Sequence, residues 1–279
     1  MKSSLKPRLL TAAVGIPAAL VVVILSELWH PLLGIVLGAF SAVMVGEFLY
    51  ARRLLSCIPL AAVCMLYAFA MQLFTSITAM YIVTFALMII SFCVIIFYHD
   101  RLGFMSFAYA LFGTLLITYG THAVIRACNG GVCFSFYLVA MLLLPWMADG
   151  GGYFIGSKFG RHKLCPNISP KKTIEGALGG AVFCVASAML MGLLYQFVIT
   201  PGYQINFAAL VVLALLDSVV SILGDLSFSL IKRSLKIKDY GSVFPGHGGV
   251  LDRFDSIIFT APLTVVMMSL VPLVSVAVE

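Results

Sequence analysis

The sequence predicts an all-α, polytopic integral membrane protein of about nine transmembrane helices, with a cytoplasmic N-terminus and an outside C-terminus. Three observations predict it. The 279-residue chain is 62% hydrophobic and only 10% charged, whereas globular proteins average about a quarter charged residues. Its apolar residues gather into runs long enough to cross a bilayer. Its lysines and arginines alternate between loops, as the positive-inside rule requires.

A helix needs about 20 apolar residues to cross the hydrocarbon core. Such runs occur near residues 9–27, 31–50, 54–74, 78–98, 103–124, 132–148, 175–199, 205–230 and 256–277. Pro17, Pro145 and Pro262 fall within or at the ends of spans, where membrane helices tolerate kinks. The N-terminal MKSSLKPRLL is basic, but the apolar run behind it lacks a small-x-small exit, so it reads as the first span and not as a cleaved signal. With nine spans, all the basic residues but Arg126 lie on one side, among them Arg52, Arg101, Lys158 and Lys171. An even count would break that alternation. Residues 1–130 are expected to be generic transmembrane helices that serve packing or oligomerisation. Residues 131–279 are the expected catalytic region, with cytoplasmic loops at 149–174 and 232–254.

Seven cysteines lie mostly within apolar runs and form neither a CxxC pair nor a zinc-type cluster. They read as small buried hydrophobes. Cys128 and Cys133 flank the loop NGGV and could pair if that loop faced an oxidising space.

Chemistry concentrates between Ser229 and Asp255, where five basic residues, three aspartates, one histidine and four glycines share 27 positions. Just before it, Asp217, Ser221, Asp225 and Ser229 recur every four residues, a single helical stripe that Lys232 extends. A carboxylate within a span is costly unless paired, hydrated or metal-bound. Asp217 reads equally as an interhelical clamp or as part of a site; Asp225, near the cytoplasmic end and preceded by Gly224, reads as functional. Asp252 and Asp255 share a helix face at the start of the last span. They suit a helix cap or, with Asp225, a hard-oxygen site for Mg²⁺. Gly246, Gly248 and Gly249 beside His247 would let backbone N–H groups approach an anion, though a plain tight turn gives the same pattern. Lys236 fits a juxtamembrane contact to lipid headgroups, while Lys238 is coupled to Asp239.

The other loop contains Ser169-Pro170-Lys171-Lys172. Serine as cap and proline at the first position predict a helix start at Ser169. Lys171 and Lys172 would then oppose the helix dipole, poor for stability but good for binding phosphate. Asp149 is a candidate metal ligand or a partner for one of these lysines. No Walker loop, GxGxxG or HExxH is present, so a soluble-type nucleotide fold is not expected.

Ser229-x-Ile231-Lys232-Arg233, then Lys238-Asp239-x-Gly241, then Phe244-Pro245-x-His247-Gly248-Gly249-Val250-x-Asp252-Arg253-Phe254-Asp255 resembles the signature of the phosphatidate cytidylyltransferases, also called CDP-diacylglycerol synthases. The SPKKTIEG segment and Gly224-Asp225 resemble that family too. Gly150-Gly151-Gly152 after Asp149 departs from its pattern. The resemblance implies a membrane nucleotidyltransferase that makes CDP-diacylglycerol and pyrophosphate from CTP and phosphatidic acid with Mg²⁺, a second, monovalent cation being left open. Asp225, Asp252 and Asp149 would be metal ligands, with Asp255 beside them and Lys238 and Asp239 among the catalytic groups. Lys171, Lys172, Ser229, Lys232, Arg233, His247, Gly248, Gly249 and Arg253 would bind substrate. Expected partners are CTP, phosphatidic acid and the lipid bilayer, with a homodimer allowed and no nucleic acid. The expected location is a bacterial inner (plasma) membrane, with the active site on the cytoplasmic side. Two rivals differ in chemistry. A CTP-dependent polyprenol kinase would transfer a terminal phosphate to an alcohol. A secondary transporter would need a polar path to the outer face, against which the short, nearly chargeless outer loops argue.

Overall fold

Apolar runs of this length become helices because a helix satisfies every backbone polar group within its own segment. The computed structural model describes residue 17 and residues 21–243 and 248–276. Helix occupies residues 21–28, α1 Pro31–Ala51, α2 Ile58–Met71, α3 Ile77–Phe97, α4 Phe104–Gly130, α5 Phe134–Phe159, α6 Ile174–Leu194, α7 Phe207–Ser234, the short α8 Leu251–Phe254 and α9 Ile257–Leu270. Seven described helical stretches are long and apolar enough to cross a membrane, and α2 is a shorter apolar helix. Most of the expected first span lies outside the described residues.

Contacts divide the chain into two compact units, residues 1–125 with 234–254, and residues 126–233 with 255–279. In the first unit α1 and α2 each begin with a proline in the first turn, where its missing N–H costs no helix bond. The helices approach closely at Gly34 and Gly38, where a Cβ would stand 2.8 Å from Gln72 O and 3.0 Å from the Phe69 ring. Buried Gln72 donates from Nε2 to Thr118 O at 3.1 Å and to Thr121 Oγ1 at 3.0 Å, fastening α2 to α4. Thr121 in turn donates to Ser41 Oγ on α1 at 3.2 Å. Such polar clamps and small residues hold helices together in lipid, where apolar faces gain nothing by meeting. Tyr81, Ile82, Phe85 and Phe97 of α3 are exposed, as a lipid-facing helix requires.

In the second unit α5 and α6 lie against one another along glycines spaced by four. A Cβ on Gly176 would stand 2.8 Å from Gly152 O, and one on Gly180 2.5 Å from Ala148 O. Close approach gives Gly151 and Gly152 a packing reason: the residues expected to open a loop at 149 are helical, and α5 continues to Phe159. The polar connection that follows folds into an antiparallel pair, β1 (Lys163–Cys165) with β2 (Ser169–Thr173).

Two boundaries differ from expectation. No helix starts at Ser169; β2 occupies that stretch and α6 begins at Ile174, capped by Thr173, whose Oγ1 accepts from Gly176 N at 3.1 Å. This start puts Glu175 in the first turn and leaves both lysines outside it, which the helix dipole favours. The last span ends at Leu270 and not near 277. Val271, the residue before Pro272, takes an extended conformation at φ −144° and ψ 127°, as a following proline demands. The chain then pairs as β4 (Val274–Val276) with β3 (Tyr203–Ile205). These two small pairings are local additions to an all-α fold. All seven cysteines are free, Cys128 and Cys133 both buried, so the pairing considered across NGGV does not form.

Candidate active site

Within the second unit, α5, β2, α7 and the start of α9 bring charged groups together. Asp225 sits one turn after Ser221 on α7, partly buried. Its Oδ1 accepts from Ser229 Oγ at 3.2 Å and its Oδ2 lies 2.6 Å from Lys172 Nζ on β2. The four-residue spacing read along this helix therefore does place Asp225 and Ser229 side by side, and the SPKK stretch does reach them. Asp255 is buried just before α9, with its Oδ1 accepting from Ser256 N at 2.9 Å. Asp225, Asp149 and Lys232 are close enough to Asp255 to act on its charge. Gly224 makes room for this arrangement, since a Cβ there would stand 2.9 Å from Asp255 O. Asp149 is tied in by Ser256, whose hydroxyl donates to Asp149 Oδ2 at 3.1 Å. Three carboxylates thus face two ammonium groups; Asp255 and Lys232 are buried, Asp225 is partly buried and Asp149 is exposed.

Lys171 lies beside Lys172 but is exposed, and so is Arg233. Arg233 reaches the hairpin, its Nε donating to Ile168 O at 3.3 Å. Asp217, two turns below Asp225, is buried with Thr260 near enough to act on its carboxylate, and Ser221 Oγ has no hydrogen-bond partner.

The remaining candidates belong to the first unit. Lys238, Asp239 and Arg253 are exposed. His247, with Phe244 to Gly246, lies outside the described residues. Asp252 is buried and engaged with its own loop, Oδ2 accepting from Tyr240 N at 2.8 Å and from Gly249 N at 3.0 Å. Gly248 has φ +87°, and a Cβ there would stand 3.0 Å from Asp252 Oδ2. Only glycine takes that backbone easily. Asp252, expected as a metal ligand, and Asp255, expected beside it, therefore have different neighbours: Asp252 organises a turn and Asp255 joins the carboxylate cluster. The pair expected to hold a metal, Asp225 and Asp252, is divided between the two units.

Sequence reasoning missed Glu47, on α1. Buried, it accepts from Val250 N at 3.0 Å through Oε1 and from Leu251 N at 2.8 Å through Oε2. The glycine-rich run fits either an anion cradle or a plain tight turn in sequence. In the structure Gly249, Val250 and Leu251 give their N–H groups to the protein's own carboxylates, Asp252 and Glu47. A signal was available: Glu47 is the one acidic residue between Glu27 and Asp100, and a carboxylate inside a span marks a site by itself. Glu175 was also missed. It accepts from Arg161 N at 3.0 Å and meets His162 Nδ1 at 2.6 Å, holding the hairpin to the start of α6.

Comparison with known proteins gives the family. The sequence model of the cytidylyltransferase family matches residues 6–271. A phosphatidate cytidylyltransferase of Bacillus subtilis (strain 168) is 33% identical over 281 residues, covering 95% of this chain and 98% of that protein. Proteins of the same name from Staphylococcus haemolyticus (strain JCSC1435) and Staphylococcus aureus (strain COL) are 34% and 36% identical over 169 residues, 61% of this chain and 62% of each. Matched over residues 6–271, the chain belongs to the cytidylyltransferase family.

Proposed function

We propose that this chain synthesises CDP-diacylglycerol from CTP and phosphatidic acid, and that the cluster of Asp149, Asp225 and Asp255 with Lys172 and Lys232 is where the reaction runs. The observation that carries this reading is the Lys172–Asp225 pair at 2.6 Å, a cation and an anion held at the edge of a membrane helix beside two further carboxylates. An oxygen of the lipid phosphate attacks the α-phosphorus of CTP. The new phosphorus–oxygen bond forms as the bond to the β-phosphate breaks, and the electron pair leaves with pyrophosphate. The nucleophile is already an anion, so no base need remove a proton. Catalysis is then positioning and charge neutralisation, as in other phosphoryl-group chemistry. In this reading Lys171 and Lys172 bind the triphosphate, and Lys232 and Arg233 attract the lipid phosphate while its acyl chains stay in the bilayer. The loop from Lys238 to Arg253 carries further substrate-binding groups.

The donors suit Mg²⁺. Carboxylate oxygens are hard ligands, and three of them against two ammonium groups leave a negative excess that a cation offsets. Among the described residues no three His, Cys, Asp or Glu side chains form a ready cage. Mg²⁺ rarely needs one, since one or two carboxylates plus substrate phosphates and water complete its shell. Asp225 and Asp255 are the residues that would hold it, with Asp149 alongside. Bound there, it would neutralise charge on the phosphates. The basic residues next to this cluster favour the cytoplasmic side by the positive-inside rule, and the bacterial relatives support an inner-membrane location.

The test is label transfer by the purified protein in detergent with phosphatidic acid and Mg²⁺. Label from the α-phosphate of CTP should enter lipid while pyrophosphate is released in equal amount. Transfer of the γ-phosphate instead would make the chain a lipid kinase. Asp225→Asn should abolish transfer in a protein that still inserts and folds; full activity in that variant refutes the site.

A further inference from the structure

A carboxylate inside a membrane helix needs a reason, because burial without partners is costly. Glu47 has partners of an unusual kind. Both of its oxygens go to backbone N–H groups more than 200 residues away, Val250 at 3.0 Å and Leu251 at 2.8 Å. Two glycines of the same loop are shaped around it. A Cβ on Gly249 would stand 2.5 Å from each of its oxygens, and one on Gly241 would overlap the same carboxylate. Directly behind this grip, Asp252 ties Gly249 N to Tyr240 N through a single oxygen. The ring of Tyr240 lies 5.9 Å from that of Phe48, the neighbour of Glu47. Tyr240, Gly241, Gly249, Val250 and Leu251 thus all meet Glu47 or its neighbour Phe48 on one turn of α1.

We propose that Glu47 is a positioning residue for catalysis: from α1 it sets the backbone of the loop that presents Lys238, Asp239 and Arg253. The N-terminal helices are then part of the catalytic apparatus and not only a membrane scaffold. The catalytic half of this inference rests on the reading above that the loop carries substrate-binding groups; the hold of Glu47 on the loop does not.

The residue has two properties that separate its role from generic packing. A glutamine has one acceptor oxygen where glutamate has two, and its amide would point a donor at a donor. An aspartate keeps the charge but is one methylene short. Both variants should therefore fail in the same way, which a requirement for charge alone would not produce.

Glu47→Gln and Glu47→Asp, each in the full chain in lipid nanodiscs, are compared with the parent by hydrogen–deuterium exchange and by steady-state kinetics. The expected result is faster exchange confined to residues 248–254, with α2 and α3 unchanged. With it should come a fall of about 10- to 100-fold in kcat/KM for CTP, the range seen when a residue that orients a site is removed. The proposal is overturned by normal kcat/KM for CTP in Glu47→Gln, by full activity in Glu47→Asp, by exchange that rises throughout α1–α3, or by failure of both variants to fold. Failure of the reading above would show differently: Asp225→Asn would stay active, while exchange in the loop would still answer for Glu47.

Discussion

Lys172 Nζ and Asp225 Oδ2 stand 2.6 Å apart, an ion pair between the hairpin that precedes α6 and the last turns of α7, with each side chain about three-quarters buried. In the proposed function each has a ligand of its own, Lys172 a phosphate and Asp225 a cation. The pair therefore reads as a resting arrangement in which each stands in for the other's ligand.

Lys172→Met should separate these roles. Removing the ammonium takes a charge-assisted contact from the triphosphate, raising KM for CTP by about tenfold, or ~1.4 kcal/mol. It also frees Asp225 of its competitor, so the Mg²⁺ concentration giving half-maximal rate should fall. Mg²⁺ titrations at saturating CTP, with parent and variant side by side, check both directions. A rise in the Mg²⁺ requirement would contradict the exchange.

Thr173 decides where α6 begins, and hence where Lys172 stands. Thr173→Ala removes the acceptor of Gly176 N and should lower stability by about 1 kcal/mol. Thr173→Ser should restore most of it. Thermal unfolding in detergent measures the difference, and an unchanged midpoint in Thr173→Ala would show that the cap contributes nothing.

Gly180→Ala tests the seam between α5 and α6. The added methyl meets Ala148 O at 2.5 Å, a backbone atom that cannot rotate away. Overpacking of this kind costs about 1–3 kcal/mol. The unfolding midpoint should drop, whereas Gly150→Ala, with nothing within 4 Å of the new atom, should leave it in place.

Free cysteines predict indifference to reductant. Cys128 and Cys133 are both buried thiols, so dithiothreitol should leave the unfolding midpoint unchanged. Cys128→Ser with Cys133→Ser should migrate identically to the parent on a non-reducing gel. A shift on reduction would restore the disulfide.

What could be read from the chain alone was whatever depends on residues adding up along it. Transfer of apolar residues into lipid is close to additive, so runs such as 78–98 and 205–230 announced the helices Ile77–Phe97 and Phe207–Ser234. The four-residue spacing of Asp225 and Ser229 is local helix geometry, and it held. What only the tertiary structure decided was which group accepts from which. Ser169 was the expected cap, and the pairing of β2 with β1 carries the chain past it to Thr173. Asp252 and Asp255 are three residues apart and alike in chemistry, yet one meets the N–H groups of Tyr240 and Gly249 and the other meets Ser256. Glu47 finds its partners across a gap of more than 200 residues. A hydrogen bond depends on atoms meeting within a few tenths of an ångström, and that meeting is a property of the packed helices together, not of any segment by itself.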